Sequence, residues 1–152
     1  MPNRTHRGLT LCWAPILPVV AAVLLAAAGC GGGRGAEDSV PLLRVTERDF
    51  HISAPKRVPS GDLRLSVLNK GPDAHELILI RAPHPGLPVH PDDITVDEEQ
   101  LEGVKAIVGV LEAGAPRSLR RLDLHLAPGR YEFICNMAGH YMAGMRAVMV
   151  VE

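Results

Sequence analysis

The sequence predicts an all-β domain, a sandwich or barrel, and three observations predict it. Short apolar stretches recur along the chain with Gly-, Pro- and Asn-containing turns between them. Several of these stretches alternate apolar and polar residues with the period of two that marks a half-buried strand. Only 83–116, rich in Pro, breaks the rhythm, and Pro83, Pro85, Pro88 and Pro91 forbid a central strand there.

The first segment precedes the domain. Arg4, His6 and Arg7 make a basic start, an apolar run is clearest from Ile16 to Ala28, and Ala27-Ala28-Gly29-Cys30 follows. Basic, then apolar, then small residues is the order of a secretory signal. The ending resembles a bacterial lipobox, with Cys30 the lipidation site, although Ala27 stands where Leu is usual. Two other readings stand beside it. Cleavage after Ala28 fits Ala26-x-Ala28, and the 20 residues from Leu9 to Ala28 also suffice as an uncleaved anchor, although Pro15 and Pro18 weigh against it. All three place the domain outside the cytoplasm, anchored to the cell membrane as a lipoprotein or by the segment itself, or secreted or periplasmic. The expected organisation is therefore a signal peptide at 1–29, a Gly-rich tether at 30–39 and one domain at 40–152.

Within the domain, Phe50 and Ile52 alternate with His51, and Leu63, Leu65 and Val67 alternate with Arg64 and Ser66. Turns at Ser60-Gly61 and at 69–73 bound the second of these. Leu77 to Ile80 is a continuous apolar run, as in a strand buried on both faces. Leu122, Leu124 and Leu126 alternate again, Pro128-Gly129 turns the chain into Tyr131 to Cys135, and Ala147 to Val151 makes the last strand. Around 92–113 a short helix or irregular insertion is expected. Thr95-Val-Asp-Glu98 reads as a capping box, and Leu101, Val104, Val108 and Leu111 have helical spacing, while Gly103 and Gly109 leave a strand over 104–111 open.

Charge and cysteine usage narrow the function. Without Arg4 and Arg7 the mature chain carries fourteen Lys and Arg against seventeen Asp and Glu, a net charge of about −3. No basic patch suggests nucleic acid. Cys12 falls in the targeting segment and Cys30 at its end, so Cys135 is the domain's lone thiol. An unpaired thiol in an oxidising compartment needs an occupant, and a metal is one.

The decisive run is Tyr131-Glu-Phe-Ile-Cys135-Asn-Met-Ala-Gly-His140-Tyr-Met-Ala-Gly-Met145. A thiolate, an imidazole and a thioether on one loop suit copper, since soft sulfur selects Cu(I) and imidazole accepts both oxidation states. Period two puts Tyr131, Phe133 and Cys135 on one core-facing side, and Gly139 and Gly144 permit the positive φ of a tight loop. A second imidazole is required, and His75, just before the buried strand 77–80, is the candidate. The site so read is Cys135 and the two imidazoles of His75 and His140 in a plane, with Met145 axial and one copper per domain.

The pattern Asn69-x-Gly71-x-x-x-His75-Glu76-Leu77, followed by Tyr131-x-Phe-x-Cys135-x-x-x-Gly139-His140-x-x-x-Gly144-Met145, resembles the cupredoxin family of blue copper proteins, of the plastocyanin and azurin type. The resemblance covers about Val45 to Glu152. It implies a Greek-key β-sandwich, copper ligation by His75, Cys135, His140 and Met145, and one-electron transfer. Two positions depart from the pattern. Ala138 stands where Pro is common, and Glu76 where Asn is common, which bears on the potential rather than on the metal. A dinuclear centre would need a second Cys at the position of Gly139 and is excluded.

The function expected is an exported electron carrier, not an enzyme, serving redox protein partners at a membrane surface, with no small-molecule substrate. The alternative is an extracytoplasmic copper protein for delivery or storage; the strand after Met145, with one Met and no His, argues against it. His51 and His125 are expected to face solvent. The acidic residues Asp92, Asp93, Asp97, Glu98, Glu99 and Glu102 read as a solvated loop, or more sharply as a surface that steers a basic redox partner.

Overall fold

The structure is a computed structural model that describes residues 40–91 and 94–152. The expected signal peptide, the lipidation site Cys30, the tether and the acidic pair Asp92 and Asp93 lie outside the described residues. Among those described, no helix is long and apolar enough to cross a membrane.

Nine strands and one short helix follow in the order β1 (Leu42–Arg48), β2 (His51–Ser53), β3 (Arg57–Val58), β4 (Gly61–Asn69), β5 (His75–Arg81), α1 (Glu98–Gly103), β6 (Ile107–Gly114), β7 (Leu119–Leu126), β8 (Gly129–Ile134) and β9 (Arg146–Val151). They make two mixed sheets, ordered β2-β1-β4-β7 and β3-β9-β8-β5-β6. The chain crosses between sheets at β2–β3, β3–β4, β4–β5, β6–β7 and β7–β8, and the expected Greek-key sandwich is the fold observed. Leu43, Val45, Leu63, Leu65 and Val67 from the first sheet meet Leu77, Leu79, Tyr131, Phe133 and Met149 from the second in one core. Period-two alternation is the cause, since each strand turns every second side chain inward.

The unbroken run of Leu77 to Ile80 has its own explanation. Leu77 and Leu79 face the main core, whereas Ile78 and Ile80 join Ala82, Val96, Leu101, Ile134 and Tyr141 in a second cluster. The 82–106 insertion thus covers the outer face of the second sheet, and its central strands are buried on both sides.

Two expectations need correction, and one alternative left open is decided. The helix is capped by Asp97, whose side chain accepts from the Gln100 N–H at 2.9 Å, and not by Thr95. Thr95 instead accepts from the His90 N–H through its backbone oxygen, beside the Val89–Val96 bridge. Residues 107–114 are a strand, paired antiparallel with β5, despite the helical spacing of Val104, Val108 and Leu111. An edge beside β5 offered a ladder, broken by register shifts at His75/Leu77 and Leu79/Ile80, and pairing outweighed periodicity. Finally, Phe50 does not share an inward face with Ile52. It sits in the β1–β2 turn at φ 56°, with 52% of its surface exposed.

One end of the sandwich is polar inside. The inward positions of β1, β4 and β7 end there in Glu47, Asn69 and Arg120. Glu47 is wholly buried and Arg120 partly so, with 14% of its side chain exposed, and their side chains are ion-paired. Arg120 also donates through Nη1 to the backbone oxygens of Leu111 at 3.1 Å and Glu112 at 2.5 Å. It thereby ties β7 and β1 of the first sheet to β6 of the second. Asn69 donates to the oxygens of Asp73 at 2.7 Å and Gly114 at 3.0 Å and accepts from the Gly71 N–H at 2.8 Å. This layer holds the turn that delivers His75.

Candidate metal centre

Adjacent strands bring the donors together. Ile78 of β5 pairs with Ile134 of β8, so the start of β5 lies beside the end of β8. His75 opens the first strand and Cys135 follows the second. His140 and Met145 arrive on the loop between β8 and β9. That loop is closed by its own backbone. The His140 N–H donates to Met137, the Met145 N–H to His140 at 3.0 Å, and the Cys135 N–H to Met145 at 3.1 Å. Gly139 and Gly144 adopt φ 80° and 96°, the left-handed conformation that their positions required.

The loop is fixed from outside as well. Asn136, buried beside Cys135, accepts from the Val96 N–H at 2.6 Å and donates to the Val96 oxygen at 3.0 Å and to Glu98 Oε1 at 2.7 Å. The Gly139 N–H donates to the Ile94 oxygen at 2.8 Å. The insertion therefore braces the ligand loop, a role no sequence pattern announced.

One donor atom each from His75, Cys135 and His140 lies within 4.8 Å of the others. Cys135 Sγ is 3.4 Å from His140 Nδ1, and the two imidazole centroids are 5.3 Å apart. Bonds of about 2.0–2.3 Å to a trigonal metal place donors about 3.5–4 Å apart, so the three fit one ion. His75 and Cys135 are buried and His140 is half-buried. Met145 is fully buried in the same core cluster as Cys135. Three of the four sequence-predicted residues thus converge, and Met145 lies beside them through the Cys135 N–H bond to its backbone oxygen at 3.1 Å.

Buried polar atoms give an independent test of fit. Both ring nitrogens of His75 are buried and make no hydrogen bond. Such groups ordinarily have partners, and a metal at one nitrogen would supply one here. Burial pulls the His75 pKa down, opposed by Asp49, and pushes the Cys135 thiol up, opposed by backbone hydrogen bonds from Met137 and Glu76. Without metal the pair is therefore neutral at pH 7, a thiol beside an imidazole. Binding must displace the Cys135 proton. Copper affinity should accordingly rise about tenfold per pH unit between about 7 and 8, one proton being released. A chelator competition at the two values measures it, and a flat profile would show that the thiol is not a ligand.

Glu76 is half-buried at the start of β5. Its carboxyl is held above the usual range by burial first and by Glu98 second. His51 and His125 are exposed as expected, and His125 Nδ1 lies 2.7 Å from Asp62. Met149 is core, Met137 packs against it, and Met142 is exposed.

No family model matches this chain, and no curated protein matches it. Its fold, however, recurs in solved structures. Dithionite-reduced auracyanin from the photosynthetic bacterium Roseiflexus castenholzii aligns with a TM-score of 0.54 at 20% identity, over 75% of this chain and 98% of that one. Auracyanin A from Chloroflexus aurantiacus, described as a "blue" copper protein, aligns with 0.52 at 13% identity, over 73% and 98%. Rusticyanin from Thiobacillus ferrooxidans aligns with 0.52 at 17% identity, over 75% and 79%.

Proposed function

We propose that this chain, whose fold is that of the cupredoxins, is an exported copper protein that carries single electrons between redox proteins at a membrane surface. The observation that carries the reading is the convergence of a thiol and two imidazoles, with their ring planes and spacing fixed, at the end of the sandwich. Thiolate, two imidazoles and a weak thioether form a donor set for copper in either oxidation state. Copper bound there would supply a one-electron couple between Cu(II) and Cu(I).

What the protein contributes is restraint. The hydrogen-bonded 135–145 loop, the Asn136 brace and the β5–β8 pairing hold four donors in one arrangement whichever oxidation state they serve. Little rearrangement then accompanies gain or loss of an electron. His140 is the least buried of the three clustered donors and gives the shortest route to a docked partner. Delivery or storage would call for exposed, exchangeable ligands, and two of these three are sealed. Four protein donors also leave no open position for a substrate. The basic-then-apolar start and Cys30 support export and attachment by lipid.

The test is spectroscopic. The protein given Cu(II) should show an intense blue thiolate-to-copper band that bleaches with one equivalent of a one-electron reductant and returns on reoxidation. Met145→Leu should keep the band and raise the potential, because removing the weak thioether disfavours Cu(II). A colourless protein that takes up zinc equally well would contradict the proposal.

A further inference from the structure

The β1–β2 turn touches the site twice, and neither contact was legible in the sequence. Asp49 Oδ1 lies 3.4 Å from His75 Nε2. The Phe50 ring packs against His140, with centroids 5.4 Å apart and planes at 75°. Since the two imidazoles also pack edge to face, contacts link Asp49 to His75, His75 to His140 and His140 to Phe50. Two consecutive residues of one turn thus bracket the two imidazoles, each touching one of them.

Three further observations mark the bracket as built rather than incidental. First, Asp49 Oδ1 is buried without a hydrogen bond although its side chain is 36% exposed. It joins the two nitrogens of His75 among the unpaired buried polar atoms. One event satisfies all three: a metal at Nδ1 leaves Nε2 as the protonated nitrogen, and its N–H then donates to Asp49. A ligating histidine commonly passes its other N–H to a carboxylate in this way, which fixes the ring and strengthens it as a donor.

Second, Gly71 leaves the room. A Cβ there would stand 2.7 Å from Asp49 Oδ1 and 3.2 Å from His75 Nε2. Any other side chain would push the carboxylate off the imidazole. Third, Phe50 holds φ 56°, an outlier for a bulky side chain. Strain of this kind persists where the surroundings demand a particular side chain in a particular place.

We infer that Asp49 and Phe50 are the positioning residues of the copper site: the carboxylate orients and charges His75, and the aromatic ring pins His140 and shields it. The inference rests on the copper reading above. It also predicts a direction for the potential. A carboxylate against the His75 N–H makes that ring a stronger donor and adds negative charge, both of which favour Cu(II). Asp49 therefore holds the potential down.

Four variants separate positioning from structure. Asp49→Ala removes the acceptor, and copper affinity should fall about 10–100-fold in chelator competition. Asp49→Asn keeps an acceptor oxygen but loses the charge. Its blue band should remain, its affinity should fall less than that of the alanine variant, and its potential should rise. Phe50→Gly relieves the backbone strain, so the metal-free protein should melt no lower than the parent, yet it should surrender copper to chelator several-fold faster. Phe50→Leu should give an intermediate release rate. A parent protein that binds no copper overturns the copper reading and this inference with it. A parent that binds copper, with Asp49→Asn unchanged in potential and Phe50→Gly unchanged in release, overturns the inference alone. A Phe50→Gly protein that melts well below the parent would assign that ring to the fold instead.

Discussion

Cys135→Ser should abolish the blue band and weaken copper binding by more than about 100-fold. Partners that merely stand behind a ligand contribute about 10–100-fold to affinity, and loss of the thiolate itself must exceed that. The colour comes from charge transfer between thiolate sulfur and Cu(II), which a hydroxyl cannot supply. The fold should survive, because Cys135 forms no disulfide and the replacement is slightly smaller. A hydroxyl at 135 also stays near His140 Nδ1, now 3.4 Å from the sulfur. Titration with Cu(II) under a competing chelator, with absorbance read in parallel, reports both effects. A variant that stays blue would contradict Cys135 as the source of the band, because it is the free thiol among the described residues.

Arg120→Met should destabilise the domain by about 3–5 kcal/mol at pH 8, the usual cost of stranding one member of a buried ion pair. The loss should shrink toward pH 5. Burial raises the Glu47 carboxyl from 4.5 to about 7, with the Arg120 charge and hydrogen bond pulling it back down. The folded state thus binds a proton between about pH 4.5 and 7 that the unfolded chain has released. Stability from this group is highest below that window and falls as pH rises through it. Removing Arg120 removes the two restraining contributions. The folded pKa climbs further and the penalty at pH 8 grows, whereas at pH 5 the carboxyl stays protonated with or without Arg120. Denaturant midpoints of parent and variant at the two pH values test this. An equal loss at both would mean that Glu47 is held as the neutral acid throughout, and that Arg120 acts by its carbonyl bonds alone.

Much of this molecule could be read before its structure. Leu63, Leu65 and Val67 alternate because one face of β4 is buried, and Leu77 to Ile80 do not because β5 is covered on both. The Cys135, His140 and Met145 spacing, with Gly139 and Gly144 where φ turns positive, carried the loop. His75 followed from the need for a second imidazole. What could not be read shares a physical character: it depends on which distant segments touch. Phe50 looked like the first residue of an alternating strand, and only the turn at 49–50 shows that it serves His140 instead. Asn136 is one polar residue in a loop until Val96 arrives 40 positions away to bond with it. For 104–111 helix and strand both stayed open, and pairing with β5 decided it.

A subtler signal was present and went unused. Continuing the inward alternation of Leu43 and Val45 by one step reaches Glu47, and continuing that of Leu126, Leu124 and Leu122 backward reaches Arg120. An acid and a base at inward positions at the same end of two strands of one sheet implied a buried pair. Asn69 ends β4 in the same way. Period two alone thus turned these polar residues inward, strand pairing brought them to one end, and the layer explains how an otherwise apolar sandwich supports an ionisable site there.

X-ray absorption at the copper edge of the loaded protein tests the central claim most directly, because it reads the atoms bound to the ion rather than a consequence of binding. The account predicts two imidazole nitrogens and one short sulfur, with that sulfur gone in Cys135→Ser and one nitrogen gone in His75→Ala. A coordination shell of oxygen and nitrogen alone in the parent, or one that His75→Ala leaves unaltered, would contradict it.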